Sequence, residues 1–380
     1  MAVQLEQYRG REQSFIKHKF LTQYLQAASY KTLQGRSPVF NFVDAFAGPW
    51  HVSDENYSDA SFDQALQTLE AVRADLGRMG LSGLRIRFCF CERRPDAVER
   101  LKAYAEKHSW FEIHVFKGSF EDNLTGIADV CRDGFTFTFI DPTGWNIRSE
   151  PIFEFLKARN GEFLLNFMAE HVNRHAGWDQ VSASFGRFLA DPDWKDEFIA
   201  LSPELSNEER VLLLMKRKIK SMGAATYLPD IPILKPRENR IKMRLILGTH
   251  SGRGVEVFRD VHGKVELSEI QTRSTISRSE TGQLGLWSQA EDCENQQRAV
   301  GVGSASQQTA ARDLISGALA NGPARFDDIA VLVMEQCAMR LTHTKDLLVA
   351  MRKEGSVAFD LPGRTKKPQH ETVICVTEAL

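Results

Sequence analysis

The sequence predicts an α/β protein: a mostly parallel, seven-stranded sheet with helices on both faces, then a smaller domain of three helices and a hairpin. Three observations carry this. Short apolar runs alternate with helical stretches through the first two-thirds of the 380 residues, the pattern of parallel strands joined by right-handed crossovers. Residues 272–308 lose that periodicity and are dominated by Ser, Thr, Gly and Gln, as in a linker or mobile loop. Order returns at Thr309 with three helices and two strands around a basic loop, the winged helix-turn-helix pattern. The expected division is 1–271, 272–308 and 309–380, consistent with two domains for a chain of this length.

The elements follow in order. Phe15, Phe20, Leu21, Tyr24 and Leu25 recur at helical spacing, and Gly35 and Pro38 stop that helix. Strands are then expected at 39–46, 84–91, 111–116, 135–140 and 162–168, with helices starting near Ser61, Pro95, Phe120 and Ser149. Pro95 suits a first helical turn. Helical segments continue to about residue 220. Strand-like runs at 224–234 and 241–248 complete seven strands, the last of them expected as an antiparallel edge strand. In the tail, Asn321-Gly322-Pro323 ends the first helix, and Thr342 and Gly355 bracket the third.

The net charge of −2 excludes a strongly basic protein but not a local basic patch. Six scattered cysteines in a large chain fit reduced thiols and a cytoplasmic protein. Cys89 and Cys91 fall on one face of a strand; a zinc site needs two further ligands, so they are read as buried strand cysteines. The N-terminus lacks the apolar segment of a signal peptide, and no apolar run approaches the ~20 residues of a membrane span.

Chemistry concentrates at strand ends. The first strand runs into Asp44-Ala45-Phe46-Ala47-Gly48, a small-residue turn that lets a ligand approach the backbone. Glu92 ends the second strand, where a carboxylate accepts ribose hydroxyls in dinucleotide-type folds. Phe120 and Glu121 follow the third, suited to the face and amino group of an adenine. Asp141 ends the fourth, in Asp-Pro-Thr-Gly-Trp. Each has a bland alternative: Glu92 as a surface strand end, Asp141 as a helix cap, Phe120 as core. Four such positions in order, at one edge of the sheet, point to a nucleotide-type cofactor.

The runs FNFVDAFAGPW, CERRPDA, KGSFEDNL, FIDPTGW and LLNFMAEHVNRH, preceded by KHKFLTQYL, resemble the three-Cys-motif partner (TcmP) proteins of bacteria and their phages over about residues 13–270. The resemblance implies a Rossmann-like, class I methyltransferase fold, S-adenosylmethionine as cofactor, and a partner protein with three cysteines that looks like a radical enzyme. It departs at Trp50, which stands where the family has glycine and narrows the loop beside the methionine end of the cofactor.

The D-P-x-G run is similar to that of tRNA guanine-N2 methyltransferases. In that light Asp141 accepts an exocyclic N–H and Trp145 stacks on the base; equally, Asp141 caps a helix and Trp145 is core. Asn166 on the fifth strand is a further catalytic candidate, and Arg174 a phosphate contact. His171 and His175 share a helix face, without a third metal ligand. In the tail, Lys345 on the third helix and Arg364, Lys366 and Lys367 in the wing lie where winged helices touch nucleic acid, although residues 309–380 hold equal numbers of basic and acidic residues. Two readings result. One is an S-adenosylmethionine-dependent methyltransferase acting on a nucleobase amine in DNA or RNA. The other is an idle methyltransferase-fold scaffold that binds nucleic acid and recruits the partner enzyme, the reading that Trp50 favours.

Overall fold

The computed structural model describes residues 5–8, 10–35, 37–48, 57–142, 144–170, 172, 182–236, 238–281, 298, 300–361 and 363–377. They pack as two units, Met1–His250 and Ser251–Leu380.

The first unit runs α1 (Glu12–Gly35), β1 (Val39–Asp44), α2 (Ser61–Arg78), β2 (Arg85–Glu92), α3 (Pro95–Lys107), β3 (Glu112–Lys117), α4 (Phe120–Val130), β4 (Phe135–Ile140), α5 (Ser149–Lys157), β5 (Gly161–Phe167), α6 (Ser182–Leu189), α7 (Trp194–Ala200), α8 (Asn207–Ser221), β6 (Asp230–Lys235) and β7 (Glu238–Gly248). The strands form one sheet in the order β3-β2-β1-β4-β5-β7-β6. β1 to β5 are parallel, and β7 lies antiparallel between β5 and β6. The antiparallel strand comes last in the chain, as expected, but it is not the edge: β7 inserts between β5 and β6, and β6 forms the edge. The 224–234 run is strand only from Asp230, with a single earlier bridge from Tyr227 to Thr249.

The sheet is two-sided because its strands alternate. Phe40, Phe42, Phe88, Phe90 and Phe137 are fully buried. Through them one face meets α1 and α2, with ring pairs Tyr24–Phe137 at 5.8 Å and Phe62–Phe90 at 5.6 Å. Val43, Cys89, Cys91, Phe163, Leu165 and Ile246 share a second core with residues of α4 to α8. Cys89 and Cys91 are thus buried core thiols, and Cys89 lies beside Cys131, Sγ to Sγ 3.9 Å.

The second unit opens with a long helix, α9 (Gly252–Thr281), followed by α10 (Ala305–Leu319), β8 (Ala324–Arg325), α11 (Phe326–Gln336), α12 (Leu341–Lys353), β9 (Val357–Ala358) and β10 (Val373–Val376). The three short strands pair antiparallel in the order β8-β10-β9. Residues 272–281, expected in a linker, continue α9. The helix is already nucleated and anchored upstream, where Val255, Phe258, Val261 and Val265 are buried. α10 starts at Ala305 rather than Thr309, capped by Ser304. Among the described residues no helix is long and apolar enough to cross a membrane.

Candidate functional site

A cavity of about 760 Å³ opens at the carboxyl ends of β1, β2, β4 and β5. That edge is where open parallel sheets bind ligands, because strand ends and loops diverge at the point where the order reverses. The volume falls in the range of small-molecule and cofactor sites. Ala45, Phe46, Gly48, Glu92, Phe120, Asp141, Trp145 and Asn166 line it, joined by Lys17 and His18 from α1.

Backbone bonds fix the loops around the cavity. Ala45 N–H donates to Phe139 O, Ala47 N–H to Cys91 O, and Gly118 N–H to Glu92 O, each at 2.9 Å. Gly118 turns with φ +121°, a conformation L side chains rarely adopt. Asp44 works behind the wall. It is fully buried and accepts from Phe46 N–H at 3.1 Å and Ser61 Oγ at 2.7 Å, tying the end of β1 to the start of α2. Burial pushes its carboxyl up to about 7, against the opposing pull of these hydrogen bonds. The folded state therefore holds a proton that the unfolded chain releases near pH 4. Stability attributable to Asp44 falls as pH rises from about 4 to about 7 and is level above, with a slope no steeper than about 1.4 kcal/mol per pH unit. Asp44→Asn, which can still accept from Phe46 and donate to Ser61, is expected to flatten that window; urea denaturation at stepped pH measures it.

Glu92 accepts from Arg94 N–H at 2.7 Å through Oε1, and among the described residues its second oxygen takes no protein donor. Glu121 does not line the cavity. Its Oε1 accepts from Arg148 N–H at 2.9 Å, and Arg93 lies 3.7 Å from Oε2, so it braces the loop after β4. Phe120 is buried edge-on to Phe155, 5.8 Å between centroids, with part of its surface lining the cavity. Trp145 lies nearly parallel to Phe185 at 5.0 Å and donates Nε1–H to Ser184 Oγ at 3.0 Å. The indole is held by protein while still lining the cavity.

The centre of the site is a network. β4 and β5 pair with Ile140 opposite Leu165, so the next residues, Asp141 and Asn166, stand side by side. Asn166 Nδ2 donates to Asp141 Oδ1 at 2.6 Å, and the Lys17 ammonium binds Asp141 Oδ2. Burial would raise the Asp141 carboxyl, but the charge of Lys17 and the hydrogen bonds from Lys17 and Asn166 outweigh it and hold it below its ordinary range. Beside Lys17, His18 is buried, with Nδ1 2.9 Å from the Tyr8 hydroxyl. Burial, then the charge of Lys17, push its imidazole down to about 3, so it is neutral.

Lys17 and His18 are among the lining residues that the sequence motifs do not mark. They lie more than 120 positions from Asp141 in sequence, and the apolar period of α1 hides two buried polar residues on its inner face. Trp50, His171, Arg174 and His175 lie outside the described residues. In the second unit Arg364, Lys366 and Lys367 are exposed. Lys367 pairs with Asp346, and Lys345 sits over the Phe326 ring at 5.3 Å.

The strand order, with β7 reversed between β5 and β6, is compatible with a Rossmann-like methyltransferase fold. No family model matches the chain, and no curated protein matches it. Among solved structures it is similar to the Legionella pneumophila protein LPL1258 of the DUF519 family: TM-score 0.34 and 12% identity, over 66% of this chain and 86% of that one. It is also similar to a Staphylococcus aureus protein provisionally described as a caffeoyl-CoA O-methyltransferase: TM-score 0.28 and 10% identity, over 59% and 82%.

Proposed function

We propose that the first unit is an S-adenosylmethionine-dependent methyltransferase acting on an exocyclic amine of a nucleobase in DNA or RNA. The observation that carries this is the placement of Glu92, one carboxylate oxygen of which takes no protein donor among the described residues, at the β2 end of a cavity that Asp141 and Trp145 also line. These residues fit the cofactor: Glu92 would hold the ribose hydroxyls, the small-residue turn Ala45–Gly48 would admit the methionine portion, and Phe120 would flank the adenine. When bound, the sulfonium supplies an electrophilic methyl group. The protein's part is positioning, with Trp145 offering a stacking face worth about 1–3 kcal/mol per base. The acceptor base must come from a single strand or be flipped out of a duplex.

We read the second unit as a winged helix-turn-helix, with residues 359–372 as the wing. Its support is the β8-β10-β9 sheet closing on α10 to α12 and the exposed basic residues of the loop. Neutralising Arg364, Lys366 and Lys367 together is expected to weaken binding of single-stranded DNA or RNA for all sequences and make its salt slope shallower by about 2. Filter binding across 50–300 mM salt checks this. An unchanged slope removes the wing from the interface.

The second reading is the idle scaffold that binds nucleic acid and recruits the three-Cys-motif partner implied by the TcmP resemblance. One observation favours it: both oxygens of Asp141 are already engaged, by Lys17 and Asn166. Incubating the protein, alone and with its partner, with methyl-labelled cofactor and total cellular RNA or DNA separates the two. Label in nucleic acid that is lost in Asp141→Ala supports the enzyme; no label under any condition supports the scaffold.

A further inference from the structure

Both oxygens of Asp141 already take a donor, from Lys17 and Asn166, and the chain supplies a second acceptor for the N–H of a base in this cavity. His18 lines the cavity and is 6% exposed. Its Nδ1 lies 2.9 Å from the Tyr8 hydroxyl, and that hydroxyl also donates to Asp59 O at 3.4 Å. A phenol has one proton. Both contacts are hydrogen bonds together only if the phenol gives its proton to Asp59 O and the imidazole gives Nδ1–H to the phenolic oxygen. This tautomer leaves a lone pair on Nε2, which has no partner among the described residues. The second bond of a histidine commonly fixes its tautomer in this way.

We infer that His18 Nε2 is the hydrogen-bond acceptor for an exocyclic amino group in the cavity, selecting amino-bearing bases over oxo-bearing ones. This deepens the methyltransferase reading and rests on it for the identity of the ligand. The charged and titratable groups around the ring are Lys17, Asp141, Arg11 and Asp59, which line the cavity with it, and Tyr8 behind it. Arg11 is paired with Asp59 at 2.5 Å and Lys17 with Asp141. Each cation near the ring therefore has its own anion, and burial, then the charge of Lys17, keeps the imidazole uncharged, able to accept a hydrogen bond at neutral pH. A neutral acceptor discriminates sharply, because an oxo group in the same place sets lone pair against lone pair and leaves Nε2 unpaired.

The test is nitrogen-15 NMR of histidine-labelled full-length protein at pH 7, with the His18 signals identified by their loss in His18→Gln. The expected spectrum shows Nδ1 protonated and Nε2 bare. Cytidine or adenosine 5′-monophosphate, added with and without saturating S-adenosylhomocysteine, should move the Nε2 resonance. Uridine or inosine 5′-monophosphate should leave it in place. Amino-bearing nucleotides should bind about fivefold tighter than oxo-bearing ones, the worth of one hydrogen bond, and the preference should vanish in His18→Gln. A tautomer protonated on Nε2, a charged ring, equal shifts from both classes, or no shift from any nucleotide would each overturn the inference. If the amino preference holds but S-adenosylhomocysteine does not bind, the methyltransferase reading falls while the recognition role stands; cofactor binding without the preference gives the reverse.

Discussion

Lys17→Met is expected to destabilise the protein by about 3 kcal/mol at neutral pH. Removing one partner of a buried ion pair leaves the other charge uncompensated, which costs about 3–5 kcal/mol. The Asp141 side chain keeps 21% of its surface open and Lys17 10%, so the lower end applies. The pH dependence follows from the sign of the shift. In the wild type the Asp141 carboxyl is held below its ordinary range. Its contribution is therefore complete above the unfolded value near 3.9 and is lost as pH falls through the folded value. In the variant the charge and hydrogen bond of Lys17 no longer oppose burial and the Asn166 bond alone offsets less of it, so the carboxyl rises and protonation relieves the penalty. The stability gap between the two proteins should be widest at pH 7 and close on acidification towards pH 4. Lys17→Met combined with Asp141→Asn should lose less than Lys17→Met alone, since the buried charge is gone. Urea denaturation of the three proteins at two pH values measures this. A gap independent of pH would mean that the pair contributes by packing alone.

Gly161→Ala should be at least as damaging, by about 3 kcal/mol or more. Gly161 opens β5 directly opposite Thr136 of β4, and a Cβ there would lie 1.8 Å from the Thr136 carbonyl oxygen. Overpacking costs about 1–3 kcal/mol where side chains can shift. Here the obstacle is backbone inside a parallel pair, so the strands must part or slip. Slipping by one residue separates Asp141 from Asn166 and turns one of them away from the cavity. The melting temperature should drop by about 6–12 °C. Gly77→Ala near the end of α2, where an added Cβ meets nothing within 4 Å, should be neutral or slightly stabilising. Equal melting temperatures for the two variants would contradict the β4–β5 register.

Much of this architecture was legible because its signals are local. The F-x-F repeats at Phe40 and Phe42, Phe88 and Phe90, and Phe135, Phe137 and Phe139 announce strands with one aromatic face. The acidic residues that close those strands, Asp44, Glu92 and Asp141, mark the ligand edge of the sheet. What stayed hidden depends on pairing at a distance. Nothing local shows that β4 and β5 bring Asp141 against Asn166, or that α1 delivers Lys17 and His18 to the same point. Glu121 was legible as a strand-end carboxylate, but its commitment to Arg148 N–H depends on how the loop after β4 folds back. The polar run after residue 271 lacks the apolar stripe that identifies a helix, yet α9 continues through 281 because the helix is already nucleated.

Binding of S-adenosylmethionine in the cavity, with Glu92 as a ligand, is the property on which the proposed activity depends most directly. Calorimetric titration of S-adenosylmethionine into the wild type and Glu92→Gln measures it. The expected result is one saturable site per chain, weakened about tenfold in the variant by loss of a charge-assisted hydrogen bond worth about 1–2 kcal/mol, with both proteins equally stable. No binding to the wild type, or equal affinity in the variant, would contradict it.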